Sequence, residues 1–199
     1  MNDFREQHFY ERLGAGTLGC HPLERFDASR VARTEIDTIY RKQLVQGTVH
    51  DERAAMLGGM AGHAGLFGNA NDLAKLGQML LNGGTYGGVR FFKQETVDVF
   101  TSKQYENSRR GLGWDKPLVG DYNGPTSELA SARTFGHTGF TGTCIWVDPE
   151  FDLVYVFLSN RVWPDRSNKL LNANIRPRIQ EVIYRSIFNY CQFQGLTRN

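Results

Sequence analysis

Thr143-Cys144-Ile145-Trp146-Val147, then Asp148-Pro149-Glu150-Phe151-Asp152, then Leu153-Val154-Tyr155-Val156-Phe157-Leu158, is the stretch on which the fold turns. Two runs rich in β-branched and aromatic residues flank a polar segment that contains Pro149. This predicts an antiparallel hairpin, because branched side chains suit a pleated surface and proline presets the φ of a turn. The second run is apolar at every position, which predicts a strand buried on both faces. Upstream, residues 134–138 read as a further strand and Gly111-Leu112-Gly113-Trp114 as a short one. Downstream, Asn172 or Asn174 caps a final helix, with Pro177 near its first turn. There Ile175, Ile179, Val182, Ile183 and Ile187 form a face suited to packing on the sheet.

The earlier part of the chain reads as helices and loops. Residues 3–13 carry Phe4, His8 or Phe9, and Leu13 at helical spacing, and Gly14 and Gly16 end that helix. Residues 17–46 read as irregular, with His21-Pro22 an extended step. Five glycines between Gly58 and Gly68 predict a loop in which backbone approaches backbone or ligand. Asn69 or Asn71 then caps a helix with Asp72 in its first turn. Leu73, Leu76, Met79 and Leu80 are its apolar stripe, and Asn82-Gly83-Gly84 stops it. Residues 94–101 read as another short helix with Val97 and Phe100 inward. Helices, then a hairpin, then a covering helix predict an α+β fold with an antiparallel sheet flanked by helices.

A chain of 199 residues suits one domain, and nothing in it suggests a linker or an internal repeat. With 40% hydrophobic and 22% charged residues it is globular in composition, which excludes a disordered, collagenous or coiled-coil protein. The net charge of +2 offers no electrostatic footprint for nucleic acid or an anionic membrane. No apolar run approaches the roughly 20 residues that span a bilayer. Met1-Asn2-Asp3-Phe4-Arg5-Glu6 is too polar for a signal peptide. Cys20, Cys144 and Cys191 lie far apart, so neither a zinc site nor a disulfide framework is expected. No cofactor is implied.

Candidate chemistry centres on Phe135-Gly136-His137-Thr138-Gly139-Phe140-Thr141-Gly142. An imidazole can move a proton, a hydroxyl can hold a carboxylate, and glycine lets a substrate approach the backbone. The same residues also suit a plain glycine-rich turn with a surface histidine. His50-Asp51-Glu52 reads as a hydrogen-bonded, loop-positioning network, since no second histidine at ligand spacing supports a metal. His63 reads as a packed structural histidine. Tyr105-Glu106-Asn107 matches the short Y-x-N pattern, which arises easily by chance. None of the eight serines lies in G-x-S-x-G or begins S-x-x-K; Ser167-Asn168-Lys169 is one residue short. An activated nucleophile is therefore not expected in these residues.

Together, Gly47-Thr48-Val49-His50-Asp51-Glu52-Arg53-Ala54, Gly58 to Gly68, Asn71-Asp72-Leu73-Ala74 and Met79-Leu80-Leu81-Asn82-Gly83-Gly84 resemble the serine β-lactamase-related family. That family includes class C β-lactamases, penicillin-binding proteins and esterases. Trp146-Val147-Asp148-Pro149 and Leu158-Ser159-Asn160-Arg161 resemble its closing hairpin. The wording is most similar to the β-lactamase-like domain that some Bacteroidetes proteins carry behind a family-three glycoside hydrolase module.

The resemblance implies acyl transfer by a serine in S-x-x-K, helped by a tyrosine from Y-x-N. A K-T-G or H-T-G strand lines the other side of the site. Only that strand carries over, as His137, Thr138 and Gly139, with the N–H of Phe140 or a neighbour as oxyanion donor. The resemblance therefore implies residues 1–199 as the C-terminal portion of a β-lactamase/transpeptidase-like domain, inactive alone. Its parent would act on a small-molecule or peptidoglycan-derived substrate, in the periplasm or cell envelope. The alternatives are a non-catalytic module binding peptidoglycan or sugar, or a structural part of a glycosidase fusion. In the family the last strand pairs with an N-terminal strand, so residues 153–158 are expected to self-associate, to rearrange locally or to borrow residues 1–13 as cover.

Overall fold

The computed structural model describes residues 2–118, 124–166 and 169–193. In chain order the regular elements are α1 (Asn2–Arg5), β1 (Arg33–Asp37), β2 (Gln43–Gln46), α2 (Glu52–Met56), α3 (Ala70–Leu81), β3 (Thr85–Tyr86) and β4 (Val89–Arg90). They continue with α4 (Gln94–Thr101), β5 (Phe135–Thr138), β6 (Cys144–Asp148), β7 (Leu153–Phe157), α5 (Lys169–Asn172) and α6 (Ile175–Phe193). The fold is α+β, with antiparallel strands flanked by helices, as the sequence predicts.

The principal sheet has the order β5-β6-β7. β6 is its centre, pairing Phe135↔Val147 on one side and Trp146↔Tyr155 on the other. Alternation along β6 then decides the layers. Ile145 and Val147 face the stripe of α3, where Met79 and Leu80 are buried. Cys144 and Trp146 face Ile179 and Ile183 of α6. Trp146, 1% exposed, is the largest fully buried side chain. Burying a residue that size contributes about 3 kcal/mol.

Asp148 ends β6 as a buried carboxylate. It accepts hydrogen bonds from Ser131 N (3.0 Å) and Oγ (2.6 Å), Glu150 N (3.0 Å) and Tyr184 Oη (2.6 Å). It therefore closes the hairpin turn and ties α6 to the sheet at one point. Burial alone would raise its pKa, but the bonds from Ser131 and Tyr184 outweigh burial and hold it below the usual carboxylate range.

α3 begins as predicted: Asn69 accepts from Asp72 N at 2.8 Å, and Asp72 in turn holds Thr17 and Lys75. In the glycine loop, Gly65 has φ +122°, and a Cβ there would run into the carbonyl of Gly59. Backbone on backbone is the reason for glycine at that position.

Several expectations are corrected. Residues 17–46 are not irregular: β1 and β2 form a hairpin with Ile36↔Leu44. Its pattern was hidden because Glu35 and Asp37 point inward and Ile36 outward, the reverse of an ordinary amphipathic strand. His21 is left-handed (φ 51°) and opens a 3₁₀ turn at Pro22–Glu24, not an extended step. The N-terminal helix is α1 followed by one wider turn, Glu6–Tyr10, before Gly14 turns the chain at φ 62°. Leu112 and Gly113 form a bend, with the Gly111 N–H closing back on the Trp114 carbonyl, so no strand forms over residues 111–114. Phe100 and Val182 lie outward, because each sits off the narrow contact line of its helix. β7 is only half buried, since it is the edge strand among the described residues and β6 is the strand covered on both faces. Tyr10 and Leu13 join the core cluster that holds Val154 and Val156, without pairing to the β7 edge.

Candidate functional site

β5 carries His137 and Thr138 at its C-terminal end. Gly136 pairs with Trp146 on one side, and on the other exchanges two backbone hydrogen bonds with Asp115, at 2.7 and 3.0 Å. A Cβ at Gly136 would meet both the Ile145 carbonyl and Trp146, so glycine is needed for this close approach. The bridge fixes Asp115 beside His137.

Asp115 is buried, and Arg109 grips it with two bonds of 2.5 and 2.9 Å. Burial would raise its pKa, but the bond from Arg109 wins and lowers it. Arg110 also reaches Asp115, at 3.5 Å, and its Nη1 lies 2.7 Å from His137 Nε2. A guanidinium can only donate, so Nε2 accepts and the ring proton sits on Nδ1, which donates to the Thr138 carbonyl at 2.7 Å. His137 is thus placed as an acceptor, and the fixed positive charge beside the H-T-G strand belongs to Arg110.

The loop after Thr138 is tied from several sides. Gly139 N–H donates to Thr143 O at 2.7 Å, and Gly142 N–H donates to Gly139 O at 3.0 Å. Arg176 on α6 donates to Thr143 O (2.8 Å) and Gly139 O (3.3 Å). Ser159 Oγ holds Gly142 O at 2.9 Å, and Arg161 Nε holds Phe140 O at 2.5 Å. A trans peptide points its N–H away from its carbonyl. Pinning the Gly139 carbonyl therefore presents the Phe140 N–H on the opposite side, and no acceptor among the described residues takes it. A backbone N–H presented in this way is able to donate to an incoming acceptor.

A cavity of about 370 Å³ opens beside Thr138, lined among others by Arg109, Asn172, Asn174, Arg176 and Pro177. Arg176 is 8% exposed, and its recorded bonds there go to carbonyl oxygens. A buried cation beside a cavity, with no carboxylate on it among the described residues, favours an anionic group there.

Of the other sequence candidates among the described residues, only His50 reaches this loop, through the Phe140 ring. His50, Asp51 and Glu52 do form a positioning network. His50 meets Glu35 at 2.5 Å, Asp51 caps α2 through Ala54 N, and Glu52 meets Arg166 at 2.5 Å. His63 is not packed: its side chain is 54% exposed and pairs with Asp51. Tyr105 is exposed in a turn closed by Ser108. Ser167 and Asn168 lie outside the described residues. No group of His, Cys, Asp and Glu among the described residues is arranged to hold a metal ion. Arg110 and Asp115 were missed, because their partnership needs the bridge to Gly136, and only the adjacent basic pair Arg109-Arg110 hinted at it.

A sequence profile described as Beta-lactamase matches residues 20–178. The chain belongs to the Beta-lactamase family. A protein of Escherichia coli (strain K12), provisionally named a D-alanyl-D-alanine carboxypeptidase, is 38% identical over 187 residues, covering 88% of this chain and 43% of that protein. A Salmonella paratyphi B protein with the same provisional name is 35% identical over the same length and shares of the two chains. This Beta-lactamase family chain thus spans less than half the length of these relatives. Among solved structures, a β-lactamase from Mycobacterium bovis superposes with a TM-score of 0.61 at 21% identity, covering 94% of this chain and 56% of that one. Simvastatin synthase from Aspergillus terreus gives 0.60 at 16%, covering 93% and 50%. Both share the fold, which the family assignment and the H-T-G strand already imply.

Proposed function

We propose that this chain builds one wall of an acyl-transfer site that acts on a peptide or ester carrying a free carboxylate. The observation that carries the reading is His137, bonded to an Arg110 that also reaches Asp115, on the strand that leads to the free Phe140 N–H, a candidate donor to a developing oxyanion. The cavity beside Thr138, with Arg176 at its wall, supports a carboxylate on the substrate. The carboxypeptidase names of the relatives support a peptidoglycan-type peptide, and with it a place in the cell envelope. The nucleophile would come from outside these 199 residues, since no serine here begins S-x-x-K. When Arg110 turns from Nε2 to stabilise negative charge on the substrate, the freed lone pair of His137 accepts a proton, while Thr138 orients the substrate.

The test uses the full-length protein and a peptide ending in D-alanyl-D-alanine. Release of D-alanine is expected, and His137→Ala should lower kcat/KM by about ten- to a thousandfold. Intact-mass spectrometry of the 199-residue chain with a β-lactam should show no covalent adduct. A stoichiometric adduct on any of its serines, or unchanged kinetics in the His137 variant, defeats the reading.

A further inference from the structure

Phe140 looks like an open aromatic platform beside the site, since the residue is 58% exposed. Two side chains nonetheless lie against its ring. The His50 imidazole stacks on it, with ring centroids 5.4 Å apart and planes 23° from parallel. The Arg161 guanidinium lies 4.3 Å from the ring centroid. Stacking and cation–π contacts of this kind favour holding the ring in place.

The His50 side of this clamp is built deep into the molecule. β1 turns Glu35 inward, where its carboxylate meets His50 Nε2 at 2.5 Å and Arg166 Nε at 2.8 Å. Arg166 also binds Glu52 at 2.5 Å, in the first turn of α2. His50 and Glu35 are each only 8% exposed at the side chain. Such a network is rigid because every charge in it is paired, and swinging His50 away would leave a buried carboxylate short of a partner. The imidazole is therefore fixed in place, and the ring of Phe140 rests against it.

We propose that His50 is a positioning residue for the oxyanion-type loop. Through the Phe140 ring it sets the peptide plane whose N–H is presented to substrate. The inference rests on the acyl-transfer reading for its catalytic consequence, but not for the clamp itself. The inverted hairpin acquires a purpose: acidic residues face inward on β1 so that Glu35 can hold His50. Displacing an oxyanion donor by about an ångström costs up to a hundredfold in rate, which sets the scale expected.

Two variants of the full-length protein separate ring from hydrogen bond. His50→Gln keeps a donor for Glu35 and removes the ring; His50→Phe keeps a ring and removes the donor. Hydrogen exchange over residues 139–143 reads the loop through the bonded amides of Gly139 and Gly142. His50→Gln should speed that exchange about tenfold while β6 and β7 stay protected. It should also lower kcat about tenfold with KM within twofold. His50→Phe, which keeps a ring but loses the bond to Glu35 that fixes it, should restore only part of both. Unchanged loop exchange in His50→Gln overturns the clamp. A loosened loop with full kcat overturns its catalytic consequence. A wild-type protein that hydrolyses no D-alanyl-D-alanine peptide sinks only the acyl-transfer reading, and the exchange measurement still judges the clamp.

Discussion

The β5-β6-β7 sheet and the β1-β2 hairpin obey opposite rules. In the sheet, apolar side chains point inward to α3 and α6, and the charge at its end, Asp148, is fully hydrogen-bonded. In the hairpin, Glu35 and Asp37 point inward, and Ile36 and Leu44 face out at 49% and 42% exposure. The sheet is held by area removed from water, and the hairpin by paired charges beside a single buried aliphatic, Val45. The difference teaches that burial here follows function: the apolar layer makes the platform, and the acidic layer serves His50 and the turn. Asp37 illustrates the second role. It accepts from the N–H groups of Ile39, Tyr40 and Arg41, and these bonds, that of Arg41 first, lower its pKa to about 2.

The sharpest contrast comes from emptying each layer. Trp146→Ala should cost about 4 kcal/mol, enough to unfold much of the protein, because the residue is buried between sheet and α6. Chemical denaturation reads this directly, and a loss under 1 kcal/mol would place the core elsewhere. Glu35→Ala should cost about 3 kcal/mol, since it strands His50 and half of Arg166. If it proves neutral, the inward acids are not what holds the hairpin.

Acid should weaken both regions for the same reason. Asp37, Asp72, Asp115 and Asp148 all have pKa values lowered in the folded state. Their contribution is complete above the ordinary carboxylate range and is lost as pH falls through the lowered values. The melting temperature should therefore hold steady down to about pH 5 and drop steeply below about pH 4. Asp148→Asn, melted across the same series, should flatten part of that drop; an unaltered profile argues against Asp148 as a contributor. The smallest effect belongs to Ile36→Ser, expected within about 0.5 kcal/mol because the side chain faces outward. A cost of several kcal/mol would show that this face is covered in the full-length protein, and would undo the comparison.

Legibility in the sequence follows the same division. The closing hairpin, the Asn69 cap and the span of α4 could be read because local propensity and turn chemistry agree with the structure, though burial did not follow for Phe100 or for the second hairpin strand. β1 and β2 could not, because inward carboxylates look like outward ones until His50 and Arg166 arrive from 15 and 131 residues away. His137, Thr138, Gly139 and Phe140 were visible as a motif. Arg110 and Asp115 became part of the site only through a bridge to Gly136.

By itself, then, the sequence determined the α+β class, the strand bearing His137 and the helices on either side of it. Those depend on periodicity and turn chemistry, which act over a few residues. The tertiary structure alone decided that β6 rather than β7 is central among the described strands, that Arg110 lies against His137, and that His50 and Arg161 lie against the Phe140 ring. Each depends on groups far apart in the chain meeting at hydrogen-bond or van der Waals distance, and no local pattern encodes which distant partner a buried charge or an exposed ring will find.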